Sequence, residues 1–401
     1  MKMRFLKKTN IPQILFLLLV LSSCGNDKKT NENSTLAAED TLPKMKPLAA
    51  EKKLPTNYIN ALKPRINHFY TKNWPNNSMN GSFLVARNGQ IIFERYNGYA
   101  NKNEDTKITK DTPLHIASVS KVLTATAVLK LVNAGKLKLD QKVNTILKTF
   151  PYDECTVRML LNHRSGMRSY AYFTDRDKTI WDRHNQLTNK DILDILATKN
   201  IGLESKVGTR FAYCNTNYAM LALIIEKITG LTYQDAMSQM IFKPLGMTHT
   251  YAFDYDKHRK TIVPSYKGNN TEIGFDYLDN VYGDKNIFST PRDLLKFDRA
   301  RNSPDFLKPE LLKEVYTGYS NERKGQKNYG LGIRMINWET GQNFYFHNGW
   351  WHGNTSSYIT LIKEHVTIIA LSNKMTRKTY AVRKLAPIFG DYPFNFKDEE
   401  E

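Results

Sequence analysis

The sequence predicts an α/β fold in which an antiparallel sheet flanked by helices is split by an all-α insertion that forms a helical subdomain. Three observations carry this reading. Residues 82–87 and 90–96 are short β-rich runs around Asn88-Gly89, a strong hairpin signal. Residues 121–132 are apolar almost all round, which suits a helix through the middle of a protein and not one on its surface. Residues 330–336, 343–347, 356–362 and 366–372 then read as a late antiparallel set. Strands on both sides of a helical middle imply one sheet broken in sequence by inserted helices.

The elements follow in chain order. Lys2, Arg4, Lys7 and Lys8 precede an apolar run at 11–21, then Ser22, Ser23 and Cys24, which is the order of an export signal. The run is well short of the ~20 apolar residues that a membrane-spanning helix needs, so 1–23 is a removable signal. Leu21-Ser22-Ser23-Cys24 resembles the lipobox of bacterial lipoproteins, which implies lipidation of Cys24. A chance cysteine after an ordinary signal peptide is the alternative. Residues 24–56 combine that cysteine with a Lys, Asn, Glu, Thr and Pro-rich stretch lacking apolar periodicity, a disordered tether with a reach of roughly 30 Å. The expected place of work is therefore the cell envelope, with a lipid anchor in a membrane.

Residues 57–393 are expected to fold as one domain, and 394–401 form an acidic tail. After the hairpin and the apolar helix, which Gly135 ends, helices are expected at 156–162, 189–199 and 217–229, the last closed by Gly230. A further helical stretch is expected at 375–389. The formal charge of +19 falls to +15 without the four basic residues before Cys24. These cations are scattered, so they suggest anionic surfaces and not a nucleic-acid groove; export also argues against nucleic acid. Cys155 and Cys214 are too few for a disulfide scaffold, although one bridge is conceivable. No Cys or His spacing fits structural zinc, His347 and His352 being the nearest pair, so neither metal nor cofactor is expected.

The chemistry concentrates in three places. Ser118-Val119-Ser120-Lys121 begins the buried helix, where residues three apart share a face and the side chains of Ser118 and Lys121 can meet. The Ser118 N–H has no partner inside the helix and sits at the positive end of its dipole, where it can donate to a developing oxyanion. A Ser-x-x-Lys is weak evidence by itself, yet this is the one such tetrapeptide in the chain, and it opens a helix in which an idle lysine would be costly to bury. Tyr213-Cys214-Asn215 precedes another apolar helix and offers a phenol that can relay a proton. Tyr-x-Asn also occurs at Tyr58 and Tyr319, so the tripeptide discriminates nothing alone. His347-Asn348-Gly349 is read at a strand end, as the opposite wall of a cleft.

In that order and spacing the three motifs resemble those of the serine β-lactamase-related family, which holds class C β-lactamases, D,D-carboxypeptidases and family VIII esterases. The likeness extends over 115–140, 156–167, 207–250, 283–295 and 346–373. It implies a β-lactamase/transpeptidase-like fold, with Ser118 as nucleophile, Lys121 as its activator and Tyr213 as general base and acid. It further implies that Asn215 holds Lys121 and substrate, that the N–H groups of Ser118 and Trp350 form the oxyanion hole, and that His347 stands where many members carry lysine. Three departures bear on specificity. Cys214 stands where serine is common, Asn348 replaces a hydroxyl that binds the substrate carboxylate in β-lactam-processing members, and Trp350-Trp351 replace small residues and should reshape the cleft.

The expected activity is hydrolysis of a small amide or ester, D,D-peptidase-like or esterase, through an acyl-enzyme on Ser118; the substrate is a small molecule or peptide, cell-wall derived in one version. The alternatives are a true β-lactamase and a catalytically silent lipoprotein that holds an envelope ligand.

Overall fold

A computed structural model describes residues 53–322 and 326–394. The signal run, Cys24, the tether up to residue 52 and the tail from residue 395 lie outside them. The described part opens with α1 (Thr56–Asn73), whose buried Leu62, Ile66, Phe69 and Tyr70 recur at helical spacing. The sequence reading placed no element here, because Pro64 interrupts an otherwise weak pattern.

The hairpin follows as β1 (Gly81–Arg87) and β2 (Gln90–Asn97). A two-residue strand β3 (Leu114–His115) then leads through a 3₁₀ turn, Ala117–Val119, into α2 (Ser120–Asn133). Twelve of the fourteen α2 residues are buried, so this helix does run through the interior. The inserted helices include α3 (Val157–Leu161), α4 (Asn189–Thr198) and α5 (Asn215–Thr229), the last stopped by Gly230 at φ 73°. Short strands β4 (Tyr251–Ala252) and β5 (Ile287–Ser289) pair with β3 as a small sheet under the start of α2.

The chain returns to the large sheet through β6 (Lys327–Tyr329), β7 (Arg334–Asn337), β8 (Asn343–Trp351), β9 (Asn354–Leu361) and β10 (Val366–Ser372). Its antiparallel order is β6-β7-β8-β9-β10-β1-β2. Strand β10 lies against β1 from Gly81↔Ser372 to Arg87↔Val366, so the two ends of the folded chain close one sheet around the helical middle. Alternate side chains explain why the central strands are buried on both faces. Leu84, Ala86, Tyr358 and Ile369 enter the core shared with α2 and α5, while Phe83, Val85, Ile359 and Ile368 enter a second core with α1 and the C-terminal segment.

Three predicted elements need correction. The run at 330–336 is not one strand: Gly332 at φ 84° turns the chain between β6 and β7, and its missing side chain admits the Ala125 methyl group. Strand β8 continues four residues past His347, because its partner β9 begins at Asn354 and the reversal is the two-residue turn His352-Gly353. The His-Asn-Gly motif is thus inside a strand and not at its end. The C-terminal stretch is a 3₁₀ helix, Lys378–Ile388, starting three residues later than expected and carrying Pro387 inside it.

Candidate active site

Strand β8 crosses directly over the start of α2. A Cβ built on Gly349 would lie 2.8 Å from the Ser118 nitrogen, 2.6 Å from the Ile116 carbonyl oxygen and 2.4 Å from Ser356 Oγ. Only glycine permits that approach, and it sets the strand backbone beside the Ser118 N–H. The Gly349 carbonyl accepts a hydrogen bond from the Tyr380 hydroxyl at 3.0 Å. In a trans peptide unit the Trp350 N–H points the opposite way.

Ser118 itself is only half-buried, and the residue before it is strained. Ala117 has φ 47°, a left-handed conformation that costs an L-residue about 1–2 kcal/mol. Hydrogen bonds from buried groups hold it there. The Ala117 N–H donates to His115 Nδ1 at 3.0 Å, and His115 Nε2 meets Asn286 Oδ1 at 2.9 Å. Asn286 in turn donates to the carbonyls of Asp279 and Val281 at 2.6 and 2.8 Å. Burial pulls the His115 pKa down to about 4, so the ring is neutral, accepting at Nδ1 and donating at Nε2. The Ile116 carbonyl is fixed separately by Ser356 Oγ at 2.6 Å.

Lys121 is fully buried, and its Nζ lies 3.1 Å from Ser118 Oγ. Its second partner is the backbone carbonyl of Asp284 at 2.7 Å. Asn215 was expected to hold Lys121; no such bond is present, and Asn215 Oδ1 is buried without a hydrogen-bond partner among the described residues. The Asp284 segment is anchored instead by a buried triplet: the Tyr170 hydroxyl donates to Asp284 Oδ2 at 2.9 Å, and Lys285 Nζ donates to the Tyr170 oxygen at 2.7 Å. The centroid of the Tyr213 ring is 5.1 Å from Lys121 Nζ, so the Ser-x-x-Lys and Tyr-x-Asn motifs do converge.

His163 positions that tyrosine. Its ring packs 4.4 Å from the Tyr213 ring, its Nδ1 accepts from the Cys214 N–H at 3.1 Å, and its carbonyl accepts from the Ala212 N–H at 2.9 Å. Cys214 caps the start of α5 with its side chain buried; burial pushes the thiol up to about 11, and Cys155 up to about 12. Neither is a thiolate at neutral pH, and both are free, so they form no bridge with each other.

His347 differs from its expected role. It is fully buried, accepts from the Tyr329 hydroxyl through Nε2 at 3.2 Å, and donates from Nδ1 to the Asn348 carbonyl at 2.9 Å. Burial, with Arg334 and Lys121 nearby, drives its pKa well below the usual histidine value, so it brings no charge to the cleft at neutral pH. The cation at this place is Arg334 on the neighbouring strand, whose guanidinium carbon lies 4.5 Å from the Tyr213 ring centroid. Asn348 Oδ1, like Asn215 Oδ1, is buried with no hydrogen-bond partner among the described residues.

The two tryptophans point apart, as alternation on a strand requires. Trp350 is 61% exposed. Trp351 turns inward and donates to Asp279 Oδ1 at 2.7 Å. Asp276, Asp279 and His352 are the only group among the described residues whose donor atoms lie close enough to hold a metal ion. The Asp279 carboxylate is already engaged there by His352 at 3.0 Å, by Trp351 and by the Asp276 N–H, which makes it a brace for the β8 turn.

Sequence reasoning missed Arg334, His115, His163 and the Tyr170-Asp284-Lys285 triplet. A lone arginine among scattered cations, or a lone histidine, carries no local signal; the sheet register and the helix packing bring them in.

Residues 77–388 match the family model for Beta-lactamase. A penicillin-binding protein of Bacillus subtilis (strain 168) is 31% identical over 313 residues, covering 74% of this chain and 68% of the relative. A protein named teichoic acid D-alanine hydrolase from Staphylococcus aureus (strain NCTC 8325 / PS 47) is 26% identical over 248 residues, covering 61% of this chain and 59% of its own length. Among solved structures, a penicillin binding protein from Bacillus halodurans superposes with a TM-score of 0.70 at 22% identity, covering 80% of this chain and 98% of that one.

Proposed function

The chain belongs to the β-lactamase family of serine hydrolases, and on that premise we propose that it cleaves a small amide or ester, of the D-amino acyl type, through an acyl-enzyme on Ser118. The observation that carries this reading is the 3.1 Å contact between Lys121 Nζ and Ser118 Oγ beneath a strand that only Gly349 lets approach.

In acylation the Ser118 oxygen bonds to the substrate carbonyl carbon while its proton passes to Lys121 Nζ, which its N–H to the Asp284 carbonyl keeps aimed. The N–H groups of Ser118 and Trp350 receive the oxyanion. As the bond to the leaving group breaks, the Tyr213 hydroxyl delivers the proton that group needs. Water then attacks the acyl carbon, with the same groups returning a proton to Ser118 Oγ. Asn215 supplies an acceptor for a substrate N–H or O–H group, which would satisfy its orphaned oxygen. Arg334 takes the part of a carboxylate-binding cation in place of His347.

The relative named for D-alanine hydrolysis and the penicillin-binding relative support a small D-amino acyl substrate over a large protein one. The neutral His347 and the missing hydroxyl at Asn348 weigh against efficient β-lactam turnover. The export signal and Leu21-Ser22-Ser23-Cys24 support attachment to the envelope by a lipid on Cys24. Turnover of a D-alanyl ester, a D-amino acid amide and nitrocefin by the purified full chain tests the substrate class. The reading fails if neither of the first two is hydrolysed faster than by a Ser118→Ala variant. Release of wild-type protein in soluble form from detergent-free extracts would sink the anchor.

A further inference from the structure

A cavity of about 210 Å³ lies between the small sheet of β3, β4 and β5, the segment 259–275 and the turn from β8 to β9. Ser118, Lys121 and Tyr213 are not among its lining residues, so it is separate from the cleft described above. Three phenylalanines and a tryptophan form much of its wall. The Phe253 ring centroid stands 5.8 Å from that of Phe288 and 5.9 Å from that of Phe275, and Trp351 lines the cavity from β8. Phe275 is 41% exposed, so ring surface is open to an incoming molecule. A cavity of about 150 Å³ takes one benzene ring, and this larger one suits two fused rings.

One polar group in the wall is left unmet by the fold. Asn354 lines the cavity and is only 5% exposed, yet its Oδ1 has no hydrogen-bond partner among the described residues. A buried acceptor without a donor costs stability, and native structures keep few of them. Asn354 lies directly across from Trp351 in the β8–β9 register, so the two side chains stand on one face of the sheet. On that face Trp351 donates to the Asp279 carboxylate, which lines the cavity as well. An acceptor beside a carboxylate calls for a donor and not for a second acceptor. Arg259, Lys260 and Glu272 also line the cavity, but they are exposed and their charges are screened by water.

His115 and Asn286 belong to the same wall. These are the two side chains that hold Ala117 left-handed, one residue before Ser118. A strained residue keeps its conformation only where its surroundings over-determine it, so a molecule packed against both supports adds to what holds it.

We infer that this cavity is a second small-molecule site, for a planar fused-ring aromatic compound with one N–H donor directed at Asn354 Oδ1, and that its occupant stiffens the His115-Asn286 support of Ala117. Binding rests on the cavity alone. The effect on Ser118 reactivity rests on the hydrolase reading.

The test uses the full chain with indole and with benzofuran, which keeps the two rings and puts an oxygen acceptor in place of the N–H. By calorimetry wild type should bind indole with a Kd within about 1 mM, and benzofuran about 3–10-fold more weakly, the worth of one hydrogen bond. Asn354→Leu replaces the unmet acceptor by an apolar group of similar size and should bind the two alike, without loss of melting temperature. Gly274 lines the cavity, and a Cβ added there meets nothing within 4 Å. Gly274→Phe therefore sets a ring in the wall without a clash, and should weaken indole binding by about tenfold or more. Saturating indole should speed fluorophosphonate labelling of wild-type Ser118 by about twofold or more, and leave Gly274→Phe unchanged.

Benzofuran binding as tightly as indole in wild type would overturn the donor assignment, and undiminished indole binding by Gly274→Phe would move the site elsewhere. Indole that slows labelling, or that no longer binds once Ser118 is labelled, would place it in the cleft and end the inference. A labelling rate that bound indole leaves unaltered would remove the link to Ala117. Ser118→Ala should bind indole like wild type, so failure of the hydrolase reading and failure of this site are read separately.

Discussion

Replacing Gly349 with alanine adds one methyl group where three atoms already stand at 2.4–2.8 Å, two of them backbone. Ordinary contact begins at 3.4 Å, so the Ser118 nitrogen must retreat by roughly 0.6 Å and the Ile116 oxygen by roughly 0.8 Å. Neither can move alone. The Ile116 carbonyl is bound by Ser356, and Ala117 between them is held left-handed by His115. Overpacking of this kind costs about 1–3 kcal/mol of stability, which is a few degrees in melting temperature for a domain of this size. The kinetic loss should be larger, because a displacement near 1 Å at reacting atoms costs about 10²-fold in rate. The assay is the rate constant for labelling by a fluorophosphonate, measured beside thermal unfolding. Gly202, whose added Cβ meets nothing within 4 Å, provides the control. Gly349→Ala should label about 10–100-fold more slowly and Gly202→Ala at the wild-type rate. Labelling of Gly349→Ala within twofold of wild type would refute the argument that this strand sets the Ser118 geometry.

Other consequences follow from the same geometry. His115 has a folded pKa of about 4 against 6.5 unfolded, so the unfolded chain takes up the proton first as pH falls; its stabilising effect is complete above 6.5 and is lost towards pH 4, at most about 3 kcal/mol. His163 and His347 act in the same direction, and the melting temperature of His115→Gln should fall less steeply than wild type over that window; identical slopes would contradict it. Arg334→Ala should lower kcat/KM for a substrate bearing a carboxylate by about 10–100-fold, the worth of a charged hydrogen bond, and lower that for an uncharged ester by much less. Equal losses would remove Arg334 from anion recognition. Aryl esters should be cleaved faster than nitrocefin, and Asn348→Thr should narrow the gap; a nitrocefin kcat/KM of order 10⁴ M⁻¹s⁻¹ or more in wild type would reverse that ranking.

Local patterns were legible in the sequence wherever the signal was local. The Asn88-Gly89 hairpin, the helix that Gly230 closes and the buried helix after Ser118 all read directly, because a turn, a cap and an apolar circumference are written in adjacent residues. Order and spacing carried the family resemblance, which implied that Ser118, Lys121 and Tyr213 meet, and the fold does bring the three side chains together. Long-range register was not legible. That β8 runs through His347-Asn348-Gly349 depends on where β9 begins, and the nearness of the Arg334 cation to Tyr213 depends on which residue lies across the strand pair. The same holds for Asp284, whose backbone carbonyl does the work assigned to Asn215: a carbonyl carries no residue-type signal at all. The tether up to residue 52, read from composition, and Cys24, read from its likeness to a lipobox, lie outside the described residues.

The measurement closest to the central claim is the intact mass of the full chain after brief exposure to an activated D-alanyl ester, with peptide mapping of any adduct. Wild type should gain the mass of one acyl group on Ser118. Lys121→Ala should gain it far more slowly, Tyr213→Phe should retain it longer because deacylation lacks its proton carrier, and Ser118→Ala should gain nothing. An adduct that persists in Ser118→Ala, on Ser120 or Cys214 for example, would contradict the account at its root.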